Sequence, residues 1–137
     1  MNINVNIDDI KVRTKQVTTY SLVEQIKKQR LYKWRAEFDS SVIEKVLFRM
    51  PLDSIFGIET SGKGAQIVKG AHIISSLYNF YSNLVYLTSD IPELNGKYYK
   101  DLPNKLKSRI EDCRLTLFEL HKNVPFEAQQ YFISQLT

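Results

Sequence analysis

Apolar residues recur along most of this chain at helical spacing, interrupted by short β-prone runs and by turn residues. The first stretch is different. Val5, Ile7, Ile10 and Val12 are spaced too loosely to define a helix or a buried strand, so residues 1–16 read as an N-terminal arm or an edge strand. From Tyr20 to Lys28, Leu22, Val23 and Ile26 follow a helical period, with Ser21 able to cap the start. A second helix is expected from about Asp39 to Arg49. Asp39 or Ser40 caps it, Val42, Ile43, Val46 and Leu47 form its apolar stripe, and Met50-Pro51 ends it, because the residue before proline avoids the helical region.

Ser54–Ile58 and Ala65–Val68 are short and β-prone, and the TSGKG between them supplies turn chemistry, so they pair most simply as an antiparallel hairpin. Helical spacing returns from Gly70 to Asn83. Leu84–Leu87 reads as another strand, Pro92–Gly96 as a turn and Lys97–Lys100 as a brief extended segment. Pro103 opens a basic amphipathic helix with Leu106, Ile110 and Cys113 facing inward. Leu115–Leu120 is expected as a strand and Pro125–Leu136 as a closing helix. The fold class expected is α+β, a small mixed sheet flanked by helices, in one domain over residues 17–137. The pattern leaves the strand order open.

Composition narrows the class. A length of 137 residues suits one domain, and 12% aromatic content argues against disorder. Cys113 is the one cysteine, which excludes an intrachain disulfide, and no cysteine–histidine set has zinc spacing. No metal site and no cofactor are expected. The polar start lacks the apolar core of a signal peptide, and no run approaches the roughly 18 apolar residues of a membrane span. The expectation is a cytoplasmic protein with no membrane partner. A net charge of +4 is mildly basic and by itself weak evidence for nucleic acid.

Three segments invite chemistry. SGKGA at residues 61–65 lacks the spacing and the strand-to-helix setting of a phosphate loop and is expected to be a hairpin turn. At the junction before the helix that begins near residue 70, Lys69, Gly70 and His72 meet unsatisfied helix amides, an arrangement able to hold an anion. Spacing alone favours a plainer account: a glycine for a tight turn, a solvated lysine and a packed or exposed histidine. In the connector QRLYKWR, Lys33, Trp34 and Arg35 could grip phosphate and stack on bases, or Trp34 could anchor the connector while its cations stay in water. Lys100, Lys105, Lys107 and Arg109 read as a solvated helix face. No triad, carboxylate pair or metal set emerges, so no catalytic residue is assigned.

Taken in order, these segments resemble domain of unknown function 262, the N-terminal module of GmrSD-type modification-dependent restriction enzymes. The resemblance rests on YSLVEQIKK, then QRLYKW as a Q-R-x-x-x-W box, then SSVIEKVLFRMPLDSIFGIE, VKGAHIISSLYNFYSN, ELNGKYYKDLP and the terminal QQYFISQLT. It covers roughly residues 17–137. It implies a ParB/sulfiredoxin-like fold and a link to nucleotide-dependent control of DNA cleavage in phage defence, with Gln29, Arg30, Trp34 and Gly70 retained. The hallmark D-G-Q-Q-R has departed: Lys69 stands for the aspartate, Ala71 and His72 for the glutamines and Ile73 for the arginine. KGAH is also similar to the sulfiredoxin G-C-H-R, with alanine where the reacting cysteine must stand. The resemblance therefore implies a catalytically degenerate module that acts by binding, with Gln29, Arg30, Lys69, Gly70 and His72 as its phosphate-binding residues. The partners implied are DNA, a nucleotide, a defence-complex protein or a second copy of the chain. The alternatives are a nucleotide-hydrolysing or DNA-recognition subunit of a split restriction endonuclease using His72 in a rearranged site, or a fragment or engineered variant of an active protein.

Overall fold

The computed structural model describes residues 8, 10–29, 38–59 and 65–136. Its elements run β1 (Val12–Thr18), α1 (Thr19–Gln29), α2 (Ser40–Leu47), β2 (Ile55–Glu59), β3 (Ala65–Lys69), α3 (Ala71–Tyr81), α4 (Asn104–Glu111), β4 (Arg114–Leu120) and α5 (Phe126–Leu136). Helices and one mixed sheet share the chain, so the fold is α+β. Two compact units divide it: residues 1–16, 54–71 and 116–137 in the first, and residues 17–53 and 72–115 in the second.

The first unit carries the sheet, in the order β1-β4-β2-β3. β1, at one edge, begins inside the segment 1–16 read as an arm or an edge strand and runs two residues past it. β2 pairs antiparallel with β3, as the hairpin pattern predicts, with a bulge between Phe56 and Gly57. On its other side β2 runs parallel to β4, with Ile55 opposite Leu117 and Ile58 opposite Leu120. Alternation sends Phe56, Ile58, Phe118 and Leu120 to one face. There Phe56 stacks on Phe118 at 5.2 Å and meets the edge of Phe132 at 6.3 Å. Ile58, Leu120, Val124 and Ala128 form the buried cluster, with Val68, Phe132 and Ile133 packed against it, so α5 covers this face.

The other face carries charge. Glu119, 5% exposed, lies 3.4 Å from both Arg13 and Lys15, and Arg13 reaches Glu59 at 2.7 Å. The two cations on edge strand β1 thus tie together carboxylates from the two central strands. A buried carboxylate must be compensated, and the half-exposed cations reach it from solvent.

In the second unit the α2 stripe buries Val42, Ile43, Val46 and Leu47, the four positions its spacing predicts. Each such burial is worth about 1.5–3 kcal/mol relative to exposure. Asp39 caps α2, accepting hydrogen bonds from the Ser41 amide at 2.9 Å and the Ser41 hydroxyl at 2.7 Å. The Ser41 hydroxyl is the main reason that the Asp39 carboxyl titrates below its ordinary range, opposed by burial and helped by the Ser41 amide and by His72 and Lys45. α3 buries Ile73, Ile74, Leu77 and Phe80. Tyr99 sits in a 3-10 turn (Tyr99–Asp101) and donates to Glu111 at 2.7 Å; burial, then this bond, push its phenol well above the usual range.

Two expected segments differ. Leu84–Leu87 is not a strand: Leu84 and Tyr86 are exposed, and Leu87 alone is buried. Its amide and carbonyl bond to Lys97 and Gly96 across a single crossing of the loop, so a short apolar run without a partner strand stays irregular. Likewise, the extension expected at Lys97–Lys100 ends in the 3-10 turn.

Candidate anion-binding cleft

The end of α2 has an unusual chemistry. Arg49 takes a left-handed conformation, φ 58°. Its amide bonds to the Val46 carbonyl at 3.1 Å and the Met50 amide to the Lys45 carbonyl at 2.8 Å, the doubly bonded left-handed cap that closes many helices. Glycine or asparagine normally takes this position. Asn83 does so after α3, at φ 60°, with the matching bonds from Asn83 to Phe80 and from Leu84 to Asn79. An arginine here costs about 1–2 kcal/mol, because its Cβ crowds the following carbonyl.

Beside this cap lies a cleft of about 550 Å³, lined by Val46, Arg49 and Met50 and by Lys105, Ser108, Arg109, Asp112 and Cys113. Arg109 fixes the two walls relative to each other: its Nη1 donates to the Leu47 carbonyl at 2.7 Å, satisfying one of the open carbonyls at the end of α2. Its buried Nε has no hydrogen-bond partner among the described residues. Lys105 stands in the first turn of α4, where the helix dipole favours an anion. Lys105 therefore opposes the dipole of its own helix, and Arg49 holds a strained backbone at the end of α2. Three cations face one carboxylate, Asp112, so the cleft favours a negatively charged guest. Cys113 contributes little reactivity, since burial pushes its thiol up and keeps it protonated.

The cleft also sorts the basic stretch. Lys100 lies over the Tyr98 ring at 5.5 Å and Lys107 over the Tyr99 ring at 5.8 Å, whereas Lys105 and Arg109 line the cleft. The sequence reading missed this division. Lys105 and Arg109 are four apart and so share a helix face, but only the packing of α2 against α4 turns that face into a cleft wall.

Among the residues expected at the site, Lys69 ends β3 and is exposed, and His72 is exposed in the first turn of α3. Gly70 is buried at φ 96°, and a Cβ there would stand 3.0 Å from Ile55 Cγ1 and 3.2 Å from Ile55 Cα. Backbone conformation and close approach to β2 both demand glycine at this turn. Lys69 and Gly70 belong to the first unit and His72 to the second. Gln29 ends α1, its side chain outside the described residues, as are Arg30, Lys33, Trp34, Arg35 and the hairpin turn expected at residues 61–65, except for the backbone of Ala65. Among the described residues, no group of His, Cys, Asp and Glu could hold a metal ion and no helix is long and apolar enough to cross a membrane.

No family model, curated protein or solved structure matches this chain.

Proposed function

We propose that this chain is a binding module that recognises an anionic partner without turning it over, and that the cleft beside α2 and α4 is where it does so. The carrying observation is the placement of Arg49 and Lys105: one holds a strained backbone and the other opposes a helix dipole, yet both line the same cleft. Local rules broken together at one place are the mark of a site shaped by something other than stability. The family part of the reading, a catalytically degenerate relative of the GmrSD N-terminal module with a ParB/sulfiredoxin-like fold, rests on the ordered resemblance and on Lys69, Ala71, His72 and Ile73 standing where its motif residues belong. On this reading the chain works in the cytoplasm.

The test is a titration of the isotope-labelled protein with tripolyphosphate, followed by amide NMR at 50 and 300 mM NaCl, beside a turnover assay with nucleoside triphosphates and magnesium. Shifts concentrated at Arg49, Lys105, Ser108 and Arg109, weakened by salt and lost in Lys105→Glu, are expected. Shifts elsewhere, or hydrolysis above background, would overturn the proposal.

A further inference from the structure

The cleft is not uniformly polar. Val46 and Met50 line it beside the cations, and Met50 is 54% exposed although it is a large apolar side chain. Phe48, the residue before Arg49, is 52% exposed as well. The short segment Phe48-Arg49-Met50 thus presents two apolar side chains on either side of a cation, held in place by the left-handed cap. A nucleic-acid duplex gives such a surface little to bury, because its outer face is phosphate and sugar, and the single strand, whose bases can stack on an aromatic ring, is the competitor that the experiment includes. Protein partners bury this combination: methionine, phenylalanine and arginine are enriched in protein interfaces, and methionine adapts its shape to the guest.

We propose that the guest of this cleft is an acidic, amphipathic segment of another protein, one that sets an apolar side chain against Val46 and Met50 and carboxylates against Arg49 and Lys105. This inference rests on the binding reading above and specifies its partner. Charge complementarity supplies the argument: three cations against one carboxylate in the lining ask for acidic side chains, and the exposed methionine asks for an apolar one between them. A helix meets both demands with residues three and four apart on one face. Arg109, bonded to Leu47, keeps the two walls at a fixed separation, so the cleft is formed before the segment arrives.

The experiment uses three fluorescein-labelled probes of equal charge in anisotropy titrations: an end-capped 12-residue helical peptide with six glutamates along one side and leucines along the other, the same peptide with serine for leucine, and a heptathymidylate, whose six phosphodiesters match the six glutamates. The amphipathic peptide is expected to bind about tenfold or more tightly than its serine version, the scale set by burying one apolar side chain. Met50→Gln should weaken the amphipathic peptide about tenfold, Lys105→Glu should weaken it as well, and Met50→Gln should leave the oligonucleotide unchanged. Met50 is exposed, so its substitution spares the fold, and circular dichroism of each variant checks this. Equal binding of the two peptides, or indifference to Met50→Gln, overturns the peptide inference and leaves the anionic reading standing. Tighter binding of the oligonucleotide than of either peptide overturns it in favour of nucleic acid. If no probe binds, both readings fall.

Discussion

Arg49 offers a clean separation of stability from binding. Replacing it by glycine removes the steric cost of a left-handed L-residue, about 1–2 kcal/mol. Against this stands the greater backbone entropy that glycine loses on folding, about 0.5–1 kcal/mol. The arginine side chain is exposed and makes no hydrogen bond or ion pair among the described residues, so the further loss is its interaction with the C-terminal end of the α2 dipole, about 0.3 kcal/mol at an exposed site. Arg49→Gly should therefore raise stability by roughly 0.5 kcal/mol. With a urea dependence of about 1–3 kcal/mol per molar for a small protein, the midpoint should rise by a few tenths molar. The assay is urea unfolding followed by far-ultraviolet circular dichroism, paired with tripolyphosphate affinity measured on the same preparation. Arg49→Asn, which also tolerates the left-handed region, should show a smaller gain. The affinity of both variants should fall. A loss of stability beyond about 0.5 kcal/mol would refute the account of backbone strain, and unchanged affinity would refute the role given to Arg49 in the cleft.

Three further outcomes follow from the fold. Gly70→Ala brings a Cβ to within 3.0 Å of Ile55 at a positive φ and should cost about 2–4 kcal/mol in urea unfolding; a cost under about 0.5 kcal/mol would mean that β2 moves aside freely. At the charged face of the sheet, removing both Arg13 and Lys15 strands a buried carboxylate and should cost about 3 kcal/mol at neutral pH, whereas Glu119→Met leaves Arg13 on Glu59, frees the half-exposed Lys15 and should cost less than about 1 kcal/mol; the reverse order would refute this reading of the cluster. The Asp39 carboxyl titrates below its usual value in the folded chain, so its contribution is present above about pH 4 and lost as pH falls through the folded value. Asp39→Asn keeps an effective cap without this titration, so its stability deficit against the native chain should shrink below about pH 4; parallel stability curves would contradict the argument.

Much of the secondary structure was legible because local forces decide it. In α2, the positions 42, 43, 46 and 47 that share a helical face are the ones buried, and Asp39 caps the helix. The β2–β3 hairpin was legible because two β-prone runs flank a turn sequence. Leu84–Leu87 misled because β-prone residues make a strand only where another strand offers its edge. The parallel pairing of β2 with β4 was out of reach, since no local signal joins Ile55 to Leu117. The cleft was hidden for a similar reason. Lys105 and Arg109 look like any solvated basic face until the end of α2 is packed beside them, and the sequence gives no sign that Arg49 occupies a position normally left to glycine.

The strand order bears on how the chain comes off the ribosome. β2 and β4 are neighbours in the sheet but roughly sixty residues apart in sequence, with nearly all of the later half of the second unit between them. That second unit has all its residues once Leu115 has emerged, whereas the first still lacks its central strand β4 and the covering helix α5. Until β4 and α5 emerge, β2 and β3 have only each other in the sheet, a pair marginally stable by itself, and the edge of β2 and the side chains of Phe56 and Ile58 lack the cover they have in the finished fold. Chains interrupted before Thr116 would keep that edge for good, and their route to one another is strand addition, the most direct path to aggregation.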